Sequence, residues 1–171
     1  AYREEIAKVC ALIEMTLRGT PYVYQGQELA MGNVNFNSID EMNDVQSVNF
    51  YKEAVEKGKD KEKYFKLAAI GSRDNARSPF QWSDSKNAGF TAGKPWLKVC
   101  DDYRRYNAED EASRADSVLN FFKKAIKLRK ETKALVYGDF TPAKTKKPPV
   151  YCYFREYEGE KYYVELNLGK T

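Results

Sequence analysis

Apolar side chains recur at Ile6, Val9, Cys10, Ile13 and Leu17, with Arg3, Glu4, Lys8 and Glu14 between them. Steps of three and four residues put the first set on one face of a helix. The pattern predicts an amphipathic helix over 2–18, capped by Gly19 and stopped by Pro21. The next run, Tyr22-Val23-Tyr24, is aromatic and β-branched with no polar alternation, which predicts a short strand buried on both faces. Gln25-Gly26-Gln27-Glu28 ends it with polar groups. Helix, turn, buried strand and polar tip make one repeat of an α/β architecture with a parallel sheet. In such folds the polar residues just past a strand's carboxyl end line the ligand site.

Residues 29–112 carry no second run of that kind. Asn33, Asn35 and Asn37 mark turns, helices are predicted over 48–57 and 61–70, and "NAGFTAGKPW" is irregular. A connection this long within a compact domain is usually functional. Another helix is predicted over 116–132, capped by Asp116 or Ser113, with Leu119, Phe122 and Ile126 on its buried face. The texture then changes. "VYGDF" reads as strand and turn, and "VYCYFREY" and "KYYVELNL" alternate on either side of a Glu158-Gly159 turn, which predicts antiparallel strands. A domain boundary is expected near Lys133, dividing the chain into 1–132 and 133–171. One buried parallel strand cannot form a sheet, so the sequence reads as a piece of a larger protein.

Composition narrows the chemistry. The chain has 171 residues, 42% hydrophobic and 32% charged, as a soluble globular protein does. No apolar run is long enough to span a membrane. The net charge of +4 is dispersed. Its densest basic patch, Lys144, Lys146 and Lys147, has neither an aromatic platform nor a glycine cradle, so it reads as a solvated loop and no nucleic-acid partner is expected. Cys10, Cys100 and Cys152 are too few and too far apart for a zinc site or a disulfide framework, and there is no histidine. No metal or cofactor is expected, and chemistry would fall to carboxylates, Arg and Tyr. The cysteine usage favours a reducing compartment, and "AYREEIAKVC" lacks the pattern of a signal peptide, so a cytoplasmic location is expected.

The stretch "GSRDNARSPFQW" (71–82) concentrates Arg73, Asp74, Asn75 and Arg77 ahead of Phe80 and Trp82. Arginine donates through a rigid fork to carboxylates and vicinal oxygens. Arg, Asp, Asn and Gln with an indole are what a sugar site needs, hydrogen bonds for hydroxyls and a flat apolar face for the ring. The competing reading is that Arg73, Asp74 and Arg77 staple a long loop to a helix. Trp82 and Trp96, taken alone, read as core. Asp40, Glu41 and Asp44 read as a solvated turn.

Three stretches in order, "GTPYVYQGQELAM" (19–31), "RDNARSPFQW" (73–82) and "NAGFTAGKPWL" (87–97), resemble the C-terminal part of the α-amylase superfamily of glycoside hydrolases. Within it they are most similar to the oligo-1,6-glucosidase and α-glucosidase group, which also holds dextran glucosidase, trehalose-6-phosphate hydrolase and sucrose isomerases. "SIDEMNDVQSVNFYKE" (38–53) and "DSVLNFFKKAIKLRKE" (116–131) extend the resemblance over nearly the whole chain. Ala30 replaces the usual glycine and Phe80 the usual methionine, without loss of a functional group.

The resemblance implies that 2–18 is the seventh helix of a (β/α)₈ barrel, 22–25 its eighth strand and 116–132 its eighth helix. The strands after Lys133 would begin an antiparallel β-sandwich domain. The family's Asp nucleophile, Glu acid/base and third Asp would lie upstream of Ala1, so no catalytic residue is assigned here. By resemblance Arg77 reaches the non-reducing glucose and pairs with a carboxylate from an early barrel loop, with Arg73 and Asp74 orienting it. Glu28 and Gln25 would sit where the barrel floor meets the site, and Gln46 near the next sugar. The expected partners are an oligosaccharide and the remainder of the barrel. The implied activity is retaining hydrolysis of terminal α-glucosidic bonds in isomalto- and malto-oligosaccharides. The alternatives are another activity of the group, a non-catalytic relative such as a transporter heavy chain, or an α/β fragment with no sugar site.

Overall fold

The computed structural model describes residues 2–145 and 149–169, so Lys146 and Lys147 of the basic patch lie outside the described residues. The helices are α1 (Arg3–Thr16), α2 (Val45–Glu56), α3 (Lys61–Gly71), α4 (Asp74–Arg77), α5 (Ala108–Ser113), α6 (Val118–Glu131) and α7 (Lys133–Tyr137). They are followed by β1 (Asp139–Pro142), β2 (Val150–Tyr157) and β3 (Glu160–Asn167). Contacts divide the chain into two compact units, residues 1–30 with 111–171, and residues 31–110. Among the described residues no helix is long and apolar enough to cross a membrane.

In the first unit α1 packs on α6 through a core of Ala11, Met15, Ala30, Val118, Phe122 and Ala125. The face α1 uses is therefore Ala7–Ala11–Met15, and the predicted stripe is only partly engaged, with Ile6 and Cys10 exposed. Alanines let two helices approach closely, and side-chain size alone did not reveal that face. On α6 Phe122 is buried and Ile126 packs against the core, as the periodicity predicts, while Leu119 is half-buried. The cap of α6 is Ser117, whose Oγ accepts from Asn120 N at 3.1 Å, in place of Asp116 or Ser113.

α1 ends at Thr16 rather than running to Gly19, because two arginines take over its terminal carbonyls. Arg129 Nη1 donates to Met15 O (2.7 Å) and Leu17 O (3.1 Å), and its Nη2 donates to Gly19 O (2.5 Å). Arg155 Nη1 donates to Thr16 O (2.6 Å), Nη2 to Gly138 O (2.9 Å) and Nε to Asp139 O (3.2 Å). Cations are favoured at a helix C-terminus, where unpaired carbonyls carry partial negative charge. Burial pushes both guanidinium groups below their ordinary value, and for Arg155 the neighbouring Arg129 charge adds to it. Tyr153 Oη shares a hydrogen bond with Thr16 Oγ1 at 2.5 Å, so β2 is anchored to α1 by two side chains.

The sheet runs β1-β2-β3, all antiparallel, with Phe140 opposite Arg155 and Phe154 opposite Tyr163. The alternation in the sequence predicted β2, β3 and the Glu158-Gly159 turn. "VYGDF" differs: Val136 and Tyr137 close α7 and only Asp139 onward is strand. A Cβ at Gly138 would lie 2.3 Å from Ala134 O and 2.8 Å from Glu156 O, so only glycine fits between the end of α7 and β2. Tyr22-Val23-Tyr24 forms no ladder and is not buried: Tyr22 is 84% exposed. Among the described residues no strand lies beside it to take its backbone groups, and an unpaired strand is not a stable element in isolation.

The second unit is built on the α2–α3 pair. α2 begins at Val45, three residues before the periodicity suggests, and α3 begins at Lys61, where Asp60 Oδ1 caps Lys63 N at 2.7 Å. Val34, Phe36 and Met42 form its core, with Val48 of α2 and Phe65 and Ala69 of α3 packed against them.

The Arg155 arrangement is testable by thermal melting. Arg155→Met should lower stability by about 3–5 kcal/mol, since three carbonyls lose a donor at about 1–3 kcal/mol each and some recover partners. Exposed Lys123→Ala on α6 should stay within about 0.5 kcal/mol of the parent. An unchanged melting temperature in the Arg155 variant would mean that the α1 carbonyls do not depend on it.

Candidate functional site

The "RDNAR" stretch folds as α4, a single helical turn after Ser72. Its polar side chains tie it to the end of α3 and to the start of α2, apart from Arg77, which bonds within the turn. Asn75 Nδ2 donates to Ala69 O (2.9 Å) at the end of α3, and its Oδ1 accepts from Val34 N (3.0 Å). Asp74 is buried at the start of α2: its Oδ2 accepts from Asn43 N (2.7 Å) and Asp44 N (2.9 Å), and its Oδ1 from Arg77 Nη2 (2.6 Å). Both amides lie just ahead of Val45, the first residue of α2.

Arg73 is held by a different acid. Asp44 Oδ1 accepts from its Nε (3.0 Å) and Nη2 (2.6 Å), and Asp44 Oδ2 from its backbone N (3.0 Å) and from Ser47 Oγ (2.9 Å). The Arg73 hydrogen bonds hold the Asp44 carboxyl well below the usual carboxylate range, against the opposing effect of burial, and Asp44 in turn raises Arg73. Asp44 is thus a buried anchor and not part of a solvated turn. It is the residue that the sequence reading missed. The available signal was an Asp directly ahead of a helix with Ser three residues on, obscured by starting that helix at Val48. Glu41 is also partnered: it accepts from Asn37 N at 2.8 Å and Lys98 Nζ at 3.1 Å, and the Asn37 bond leads in lowering its carboxyl.

The two arginines therefore separate. Arg73 does not orient Arg77; it makes a bidentate pair with Asp44 while 64% of its side chain stays exposed. Arg77 is held by Asp74 through Nη2 alone, its Nε is buried without a hydrogen-bond partner, and 39% of its side chain is exposed. Gln46, on the first turn of α2 two residues after Asp44, is exposed. Gln25 and Glu28 belong to the first unit. Gln25 is exposed, and Glu28 is half-buried with Oε2 accepting from Gly26 N at 2.8 Å.

Beyond Pro79 the rings of Phe80 and Trp82 lie 4.6 Å apart between centroids. Trp82 and Trp96 are 56% and 57% exposed, so neither is core and both offer an accessible ring face. Among the described residues no cluster of His, Cys, Asp and Glu could hold a metal ion, and no two cysteines are joined in a disulfide. Arg77 and the two indoles offer a forked donor and flat apolar faces, the side-chain types that bind a polyhydroxylated ligand.

Comparison with known proteins bears on which ligand. Over 168 residues the chain is 43% identical to the oligo-1,6-glucosidase of Bacillus cereus, covering 98% of this chain and 30% of that protein. It is 38% identical over 169 residues to the trehalose-6-phosphate hydrolase of Escherichia coli K12, covering 99% and 31%. The crystal structure of isomaltulose synthase from Klebsiella sp. LX3 matches 98% of the chain and 30% of its own length, with a TM-score of 0.92 at 42% identity. The chain thus spans about 30% of the length of these relatives. Residues 1–138 match the family described as alpha amylase, catalytic domain, and with that match the chain belongs to the α-amylase family of glycoside hydrolases.

Proposed function

We propose that the chain is the part of a retaining α-glucosidase that helps to hold the sugar, in an enzyme that hydrolyses terminal α-glucosidic bonds of short isomalto- and malto-oligosaccharides. The observation that carries the reading is Arg77, a partly exposed guanidinium fixed by a buried carboxylate and retaining unused donors. A fork fixed in this way is preorganised for vicinal hydroxyls, because little freedom is lost when the sugar arrives. The names of relatives at 37–43% identity, oligo-1,6-glucosidases and glucan 1,6-α-glucosidases among them, support the substrate class.

In this reading α1 is the seventh helix of a (β/α)₈ barrel, residues 22–25 its eighth strand and α6 its eighth helix, and from Lys133 the chain starts an antiparallel domain. Retaining cleavage needs two carboxyl groups about 5–5.5 Å apart across the glycosidic bond. The reading assigns both to residues outside this chain, with Arg77 binding the terminal glucose and Arg73 and Gln46 of the same unit contributing around it. Three cysteines without a disulfide among them fit a cytoplasmic location. A second reading within the group is trehalose-6-phosphate hydrolysis or sucrose isomerisation, favoured by a trehalose-6-phosphate hydrolase at 38% identity and isomaltulose and trehalulose synthase structures at 42–43%.

The 171-residue chain by itself should show no turnover of p-nitrophenyl α-glucoside, isomaltose or sucrose above a matched blank. Turnover by the chain alone would place the catalytic carboxylates within it and reject this assignment.

In the full-length enzyme Arg77→Ala should cost on the order of 10²-fold in kcat/KM, the lower end of what breaking a buried charged pair does, since Arg77 is part-exposed. Arg77→Lys should restore little, because a single ammonium cannot reproduce the fork. Arg73→Ala should lower the melting temperature more and kcat/KM less. Kinetics on one α-glucoside, with melts of the same proteins, decide this. Near-normal kcat/KM in Arg77→Ala, together with lost stability, would make the whole motif a structural staple.

A further inference from the structure

We infer that Asp74 is the positioning residue for the sugar-binding arginine, acting through Arg77 and touching no substrate itself; the inference rests on the assignment of Arg77 proposed above. The two oxygens of Asp74 have separate tasks. Oδ2 alone accepts both amides at the start of α2, Asn43 N at 2.7 Å and Asp44 N at 2.9 Å. Both amides lie just ahead of the first residue of α2, so this oxygen ties α4 to the entry of that helix. The bond from Oδ1 to Arg77 Nη2 at 2.6 Å ties α4 only to itself, three residues apart, and joins no further element of the unit. The stapling of this loop is done elsewhere, by Arg73 on Asp44 and by Asn75 on Ala69 and Val34. The one thing the Oδ1 bond fixes is therefore the direction of the Arg77 guanidinium.

The environment suits that task. Asp74 is buried, and two backbone amides just ahead of α2 hold its Oδ2 and restrict its rotation. A charge-assisted bond of 2.6 Å from an immobile oxygen restricts a long side chain that would otherwise sample many rotamers. With Nη2 engaged and Nε buried without an acceptor, the guanidinium presents a defined set of remaining donors to whatever oxygen approaches.

The test is a double-mutant cycle in the full-length enzyme with Asp74→Asn, Arg77→Ala and the pair. Asparagine keeps a carbonyl oxygen for the α2 amides while removing the charge that orients Arg77. Asp74→Asn should lower kcat/KM by about tenfold or more when Arg77 is present and by less than twofold in the Arg77→Ala background. A purely structural role would give the same loss in both. Added guanidinium ion supplies a second readout: it should recover part of the activity of Arg77→Ala, where Asp74 can still hold it, and none in the double variant. Assays below each variant's melting temperature keep folding apart from function, and Asp74→Glu, which retains charge but moves the carboxylate, replaces Asp74→Asn if the latter does not fold. Equal losses in both backgrounds, or an Asp74 variant of full activity, would overturn the inference alone. An Arg77→Ala enzyme of undiminished kcat/KM would overturn both it and the proposed function.

Discussion

Two buried carboxylates at the start of α2 set the geometry of the second unit. Asp44 and Asp74 are consecutive neighbours in space though thirty residues apart in sequence, since Asp44 N donates to Asp74 Oδ2. Each has a separate set of partners: Asp44 has Arg73 and Ser47, and Asp74 has two helix-terminal amides and Arg77. Those bonds tie α4 to the entry of α2 at two points, through Asp74 and through Arg73.

The first unit meets the same constraint with the opposite sign. Arg129 and Arg155 are buried cations, and the acceptors they find are backbone carbonyls rather than carboxylates. Those carbonyls are the orphan groups at the end of α1, where the helix dipole is negative. Arg155 also holds Gly138 and Asp139, so one side chain joins the end of α1 to the junction of α7 and β1. In both units a charge that would be costly to bury is placed at the helix end whose partial charge opposes it.

Periodicity made the long elements visible because each helix or strand had one face to bury within reach. α3, α6, β2 and β3 follow the sequence pattern to within a few residues. The misreadings share a physical cause, the presence or absence of a distant partner. Tyr22-Val23-Tyr24 has the composition of a buried strand, but composition does not supply the neighbour that would ladder with it. Asp44 looked like a turn residue because its partner, Arg73, is twenty-nine residues away. Gly138 is compulsory only once β2 has folded back over the end of α7. At the candidate site the residue types were legible and their pairing was not: which acid holds which arginine depends on how α2 and α4 pack.

That pairing decides what each arginine can do. Arg73 and Arg77 have the same side chain, lie one helical turn apart and share a motif. Arg73 meets its acid with two nitrogens, and its backbone N binds the same carboxylate, so main chain and side chain are clamped together and the contact holds the loop in place. Arg77 meets its acid with one nitrogen, which fixes a direction while leaving donors unused. A guanidinium gripped at two nitrogens by the acid that also binds its backbone is a structural cross-link, and one held at a single nitrogen is a preorganised donor. The difference does not lie in which acid oxygen is free, since Asp44 Oδ2 is occupied just as Asp74 Oδ2 is; it lies in the Arg73 backbone N, which binds the same acid that its Nε and Nη2 grip, a clamp that Arg77 does not make with Asp74.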